Sequence, residues 1–195
     1  MLNIKGVVLA GGESSRMGAD KALLKRDHRD MVNYTVEQLD NMALNGIVLS
    51  RNVPQESPQV VRFSSLPIIK DLYPKLGPLG GIHAVVKCIK ADAILIVPVD
   101  MPLLRTDDLN QLVSTGCQFH KPVYFDGYYL PLYLPLNEQI RTYLDEVVSG
   151  KIKNRSVRGL CNHFGGIPVQ PLNCNSLHNT NTPKQWQAVQ ALLAR

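Results

Sequence analysis

Residues Leu9 to Lys21 read Leu-Ala-Gly-Gly-Glu-Ser-Ser-Arg-Met-Gly-Ala-Asp-Lys, directly after the apolar run Gly6-Val7-Val8. A short buried strand therefore feeds a glycine-rich turn that carries Arg16 and Lys21. Glycines allow close backbone approach with N–H groups exposed, and two cations add charge for a polyanion. The chemistry this permits is phosphate binding. Neither G-x-x-x-x-G-K-[ST] nor G-x-G-x-x-G occurs anywhere in the chain. The two commonest phosphate-binding loops lose their main support accordingly.

A second candidate is Asp100 in Pro98-Val99-Asp100-Met101-Pro102, at the end of the apolar run Ala93–Val97. Aspartate in a proline-bracketed turn is ordinarily a cap or turn residue. Opposite a phosphate loop it could instead hold Mg²⁺, which typically uses one or two carboxylates plus phosphate oxygens and water. Three further segments end predicted strands or open predicted helices. They are Ser50-Arg51-Asn52, Lys70-Asp71 and Gly77-Pro78-Leu79-Gly80-Gly81. In open α/β sheets ligands bind outside the carboxyl ends of the strands, so all of these should gather at one rim.

The elements that must do the gathering are legible as alternation. Gly6–Ala10, Gly46–Leu49, Leu66–Ile69 and Ala93–Val97 are short and rich in Val, Ile and Leu, as strands covered on both faces should be. Helices are predicted between them. One spans Asn33 to Met42. A second follows Gly80-Gly81, with Ile82, Val85, Val86 and Ile89 inward and His83, Lys87 and Lys90 outward; Cys88 falls on its apolar side as a small hydrophobe. A third starts at Thr106 as N-cap, with Asp107 and Asp108 favourable to the dipole. In the last third, Val123-Tyr124-Phe125 and Tyr128-Tyr129-Leu130 flank Asp126-Gly127, a hairpin signal. Pro131 should confine the second strand to an edge or break it. Asn137 caps a helix with Ile140, Tyr143, Leu144 and Val147 inward. Thr182-Pro183-Lys184-Gln185 opens a closing helix that buries Trp186, Val189 and Leu193. The expectation is a single α/β domain of three αβα layers over residues 1–195, with a mainly parallel Rossmann-like sheet and a hairpin or antiparallel edge in the C-terminal third.

With 195 residues, 45% hydrophobic and 19% charged, the composition is that of an ordinary soluble globular protein. No stretch approaches a membrane span and the N-terminus resembles no signal peptide, so no membrane partner and a cytoplasmic location are expected. The four cysteines lack C-x-x-C spacing, and the five histidines share no metal spacing. A net charge of +5 suits anionic ligands. Without a basic run interleaved with aromatics, no nucleic-acid partner is expected.

The Leu9–Lys21 segment resembles the signature of nucleotidyltransferases that activate small phosphorylated molecules with a nucleoside triphosphate. Within that superfamily it is most similar to the molybdenum cofactor guanylyltransferases. Val-Pro-Val-Asp-Met-Pro resembles the strand-end Asp-x-Pro of that family, whose aspartate binds magnesium. Gly77–Gly81 resembles its Gly-Pro-Leu-Ala-Gly, preceded by an aspartate matched by Asp71. Tyr129–Tyr133, Arg155-Ser156-Val157-Arg158 and Asn179-Thr180-Asn181-Thr182-Pro183 carry the likeness to the C-terminus.

The resemblance implies transfer of GMP from GTP to the terminal phosphate of molybdopterin cofactor, with Mg²⁺ as cofactor and a cofactor-delivery or acceptor protein as partner. It implies Arg16, Lys21 and Asp100 as catalytic residues, Asp100 as the metal ligand, and residues 1–103 as the GTP and Mg²⁺ part. Leu9, Ala10, Gly11, Gly12, Lys21, Ser50, Asn52, Asp71, Gly80 and Asp100 would bind GTP. Ser50 and Asn52 share one side of an extended segment, so either could meet the nucleotide. Residues 104–195 would bind the acceptor through Asn179, Asn181 and Arg155, although the two asparagines also read as a turn before the Thr182 cap. A cytidylyl- or sugar-phosphate nucleotidyltransferase shares this scaffold, and a non-catalytic GTP-binding regulator is the alternative from another class.

Overall fold

The computed structural model describes residues 2–11, 20–52, 66–73, 75–173 and 175–193. Gly12 and Arg16, two of the loop residues expected to bind phosphate, lie outside them, as does Cys174. The described strands are β1 (Ile4–Leu9), β2 (Lys25–Arg26), β3 (Arg29–Asp30), β4 (Ile47–Ser50), β5 (Ile68–Ile69), β6 (Ala93–Pro98), β7 (Val123–Phe125), β8 (Tyr128–Pro135) and β9 (Ile167–Val169). The α-helices are α1 (Met31–Asp40), α2 (Pro78–Cys88), α3 (Thr106–Phe119), α4 (Glu138–Val148), α5 (Val157–His163) and α6 (Pro183–Leu193).

A seven-stranded sheet runs β5-β4-β1-β6-β8-β7-β9, with β2 and β3 a separate ribbon. β1 pairs parallel to β4 and β6, β4 to β5 and β7 to β9, while β8 is antiparallel to both its neighbours. Alternation along the strands divides the core. Val8, Leu49, Leu95 and Val97 face α1 and α3, where Val32, Leu39, Leu109 and Leu112 are buried. Val7, Val48, Ile94 and Ile96 face α2, α4 and α5, where Ile82, Val85, Leu144 and Leu160 are buried. The result is the three-layer αβα arrangement, with a hairpin in the C-terminal third. Trp186 of α6 packs on Met31 and Tyr34 of α1. Among the described residues, no helix is long and apolar enough to cross a membrane.

Several local expectations change. The first helix starts at Met31, because Met31 and Val32 are needed in the core. Arg105, not Thr106, is the N-cap of α3, since the Thr106 hydroxyl donates to the Gln38 carbonyl at 3.1 Å. Asp108 is buried and accepts the Leu172 N–H at 3.0 Å. His83 does not face solvent; it is 3% exposed, with Nε2 2.9 Å from Asp145 of α4. Lys87 donates to the same carboxylate at 2.8 Å. Lys87 first, and His83 after it, hold the Asp145 carboxyl below the ordinary range against the opposing cost of desolvation. Cys88 is exposed rather than apolar-facing, because α2 ends there as the sheet falls away. Pro131 neither ends β8 nor confines it to an edge: β8 lies inside the sheet, and the irregularity is absorbed as a bulge against β7.

At Gly116, a Cβ would stand 2.1 Å from the ring of Tyr133, which is 1% exposed. We expect Gly116→Ala to cost about 1–3 kcal/mol through overpacking, measured as a lower urea midpoint at unchanged m-value. The thiols give a second prediction. Burial pushes the Cys161 thiol up to about 12, whereas Cys88 is exposed. An alkylating reagent at neutral pH should therefore modify Cys88 in the native protein and reach Cys161 only on unfolding, as read by peptide mass spectrometry.

Candidate active site

The carboxyl ends of β1, β4, β5 and β6 meet at one rim. Their connections are knitted at the backbone: Ala10 N–H donates to the Ser50 carbonyl at 3.0 Å, Arg51 N–H to Ile69 at 3.0 Å, and Val99 N–H to Leu9 at 3.2 Å. Leu9, Ala10 and Gly11 thus lie between the ends of β4 and β6. A Cβ at Gly11 would lie in ordinary contact with the Ser50 carbonyl at 3.9 Å and the Arg51 Cα at 4.0 Å, which places this backbone against the end of β4.

On one side of the rim, Lys21 Nζ lies 3.3 Å from Asp100 Oδ2, two groups 79 residues apart, and also donates to Asn181 Oδ1. Each member of the ion pair is about four-fifths buried, at 20% and 21% exposed. Asp20 fixes where Lys21 emerges. Its carboxylate caps the short 3-10 turn Lys21–Leu23 by accepting the Ala22 N–H at 3.1 Å, and it also receives Arg51 NH2. Arg51 is 2% exposed and its NH1 reaches the Ala10 carbonyl at 3.4 Å.

The C-terminal segment is tied to the same point. Thr180 gives both its N–H, at 2.8 Å, and its hydroxyl, at 3.1 Å, to the Asp100 carbonyl. Gln185 Oε1 accepts the Asn181 N–H at 2.8 Å while Thr182 Oγ1 accepts the Gln185 N–H at 3.3 Å. The expected cap of α6 therefore also aims Asn181 at Lys21. Asn179 Oδ1 is buried without a hydrogen-bond partner among the described residues.

Across the rim, Asn52 spends both ends of its amide on Asp71: Nδ2 donates to Oδ2 and Oδ1 accepts the Asp71 N–H, each at 2.8 Å. Ser50 and Asn52 do share a side, facing the start of α2. There a Gly81 Cβ would fall 2.6 Å from Ser50 Oγ and 3.3 Å from Asp71 Oδ1. Gly80 is similarly close to the Tyr73 carbonyl and Asp71. Glycine at 80 and 81 lets β4, the Asp71 loop and α2 close together.

Lys21, Asp100 and Asn181 are thus assembled, as are Ser50, Asn52, Asp71 and Gly80. Arg155 stands apart: it is exposed, with NH2 3.9 Å from where a Gly150 Cβ would be. Asp20, Arg51 and Thr180 were not singled out as site residues. A charged residue such as Arg51 inside an apolar strand-end segment was the available signal, since a buried arginine needs a carboxylate. Among the described residues, no three His, Cys, Asp or Glu cluster as a metal cage. One carboxylate fits instead a cation that takes its remaining ligands from phosphate and water.

Fold and rim together define the nucleotidyltransferase class. Within it, the chain belongs to the family of the MobA-like NTP transferase domain, whose model matches residues 6–162. A molybdenum cofactor guanylyltransferase of Xanthomonas euvesicatoria pv. vesicatoria is 35% identical over 184 residues, spanning 93% of this chain and 91% of that one. Among solved structures, molybdopterin-guanine dinucleotide biosynthesis protein A of Archaeoglobus fulgidus superposes with a TM-score of 0.78 at 18% identity, covering 97% and 98% of the two chains. A 4-diphosphocytidyl-2C-methyl-D-erythritol synthase of Anaerococcus prevotii reaches 0.76 at 11% identity, covering 98% and 96%. These structures share the fold.

The Asn52–Asp71 pair yields a structural prediction. In Asn52→Asp a second carboxylate replaces the amide donor at Asp71 Oδ2, so attraction becomes repulsion. Amide hydrogen exchange over residues 68–73 should accelerate about tenfold, the equivalent of one lost charge-assisted bond, while β1 and β6 stay protected.

Proposed function

We propose that this protein transfers GMP from GTP to the terminal phosphate of molybdopterin cofactor, forming the guanine dinucleotide cofactor and releasing pyrophosphate. The observation that carries the chemistry is the meeting of Lys21 with Asp100 at the rim where β1 and β6 end. The choice of substrates rests on likeness to the Xanthomonas guanylyltransferase over almost the whole chain.

In this reading the acceptor phosphate oxygen attacks the α-phosphorus of GTP in line, and the bond from that phosphorus to the α–β bridging oxygen breaks. The nucleophile is already an anion and needs no general base. The work of the protein is positioning and charge neutralisation. Lys21, released from Asp100 and Asn181, neutralises charge on the departing pyrophosphate, with Gly11, Gly12 and Arg16 as further donors. Leu9, Ala10, Ser50 and Gly80 shape the nucleoside pocket, and Asp71 accepts hydrogen bonds from the base. Asn52 acts through Asp71, holding its carboxylate in place. Asp100 would hold a divalent cation, Mg²⁺ by the chemistry of a lone carboxylate with phosphate oxygens, and the cation when bound supplies charge stabilisation as the α–β bond breaks. Asn179 and Asn181 face the acceptor, with Arg155 as an outlying contact for it. Residues 1–103 form the donor part and 104–195 the acceptor part, within one cytoplasmic enzyme.

Pyrophosphate release from GTP, CTP and UTP with molybdopterin as acceptor tests the assignment. GTP alone should support turnover; release from CTP would move the protein to the cytidylyl branch, and tight GTP binding without release would make it a regulator. Loss of one preorganised charge contact typically costs about 3–4 kcal/mol in the transition state. Lys21→Ala should therefore lower kcat roughly a hundredfold or more with its melting temperature little changed. Asp100→Ala should lose magnesium-dependent turnover, and an unchanged response to added magnesium would remove Asp100 as the ligand.

A further inference from the structure

The bulge in β8 has no role in the nucleotide site. β7 and β8 pair Tyr124 with Leu132 and then Phe125 with Tyr128. One step on β7 thus faces four on β8, leaving Tyr129, Leu130 and Pro131 as the excess. β8 runs antiparallel to β6 and its last pair with it is Ile96↔Leu132. The excess residues therefore begin alongside the carboxyl end of β6, the end that leads to Asp100. Bulges beside functional sites commonly re-aim a side chain.

The side chain re-aimed here is Tyr129. Its ring rests on that of Tyr124 at 4.8 Å between centroids and 31° between planes. Tyr124 is 8% exposed and backs it from below. Tyr129 itself is half-buried. The guanidinium of Arg158, from the first turn of α5, stands 6.0 Å from the Tyr129 centroid. That distance is the outer limit of a cation–π contact, so Arg158 is not committed to the ring. Arg158 is exposed and pairs with no carboxylate among the described residues. A stacked tyrosine under an uncommitted planar cation, one strand from the candidate metal-binding aspartate, is an arrangement suited to a flat heteroaromatic ring.

We propose that Tyr129 and Arg158 form the platform on which the pterin ring of the acceptor stacks, while its phosphate reaches toward Asp100. The proposal rests on the guanylyl-transfer reading for the identity of the acceptor. Tyr124 is the support that keeps the Tyr129 ring in plane. The base of the donor is held on the other side of β1, by the Asp71 loop and α2, so the two flat rings do not compete.

The test is a fluorescence titration of the full chain with 6-hydroxymethylpterin, a probe that lacks the phosphate. The wild-type protein should quench the pterin saturably. Tyr129→Leu and Arg158→Gln should each weaken that binding about tenfold, the usual effect of removing an aromatic or cationic stacking partner. Tyr129→Phe, which restores the ring, should restore quenching. GTP affinity by calorimetry should be the same in all four proteins. Arg158 is exposed, so its variant answers even if Tyr129→Leu misfolds. Absence of quenching by the wild type, or quenching by the Arg158→Gln and Tyr129→Leu proteins as strong as that of the wild type, overturns the platform. Turnover with molybdopterin separates the two readings. If wild-type turnover occurs and the acceptor KM is unmoved by either variant, the platform fails and guanylyl transfer stands. If no turnover occurs yet quenching depends on Tyr129 and Arg158, the platform stands and the transferase reading fails.

Discussion

One ammonium group organises the rim of this molecule. Lys21 Nζ is shared between Asp100, 79 residues away, and Asn181, 160 residues away. A lysine four-fifths withdrawn from water needs compensating charge and acceptors. Asp100 supplies the charge and Asn181 completes the shell. The short turn at Lys21–Leu23, the end of β6 and the segment before α6 are consequently held at one point. In the proposed reaction these are the groups that a triphosphate and its cation would claim, and binding would exchange one set of charge partners for another.

The supports behind that point are also polar, and they come from outside the glycine-rich loop. Arg51 on the β4 exit holds Asp20, and Asp20 sets the turn from which Lys21 projects. Thr180 grips the Asp100 carbonyl with two donors, so the residue is fixed at its backbone while its carboxylate meets Lys21. Gln185 does the same for Asn181 through its N–H. Deleting any of these would leave the nominal site residues in place and misdirect them. At the opposite side of the rim, Asn52 plays this part for Asp71.

Much of this order was legible in the sequence because it follows from local rules. Continuous Val, Ile and Leu runs gave β1, β4 and β6 within a residue or two, since strands buried on both faces must be apolar throughout. Asp126-Gly127 gave the hairpin and Thr182-Pro183-x-Gln185 the cap of α6. What was not legible depended on partners remote in sequence. His83 lies on an outward helical position and reads as solvated, but Asp145, 62 residues on, covers it and accepts its hydrogen bond. Pro131 reads as a strand breaker, but β8 is paired on both sides of it, with β6 from Leu132 to Pro135 and with β7 again at Tyr128. Asn52 reads as a nucleotide contact, yet both ends of its amide are spent on Asp71. Side-chain type and spacing locate the rim; they do not say which polar residues touch a ligand and which hold the ones that do.

The same distinction explains how the fold stays alike while base preference differs. The Archaeoglobus and Anaerococcus structures superpose on this chain at 18% and 11% identity. A sheet core asks only that the alternating positions be apolar and of suitable volume, a condition many sequences meet. The constraint at the rim is tighter and smaller. Gly81 has no room for a Cβ against Ser50, and that closeness sets the distance between the end of β4 and the start of α2. A residue one carbon larger at 81, or a larger side chain at 50, would widen the cleft in which Asp71 stands. One or two substitutions at this rim can therefore change the spacing around Asp71 in ways that the core never registers.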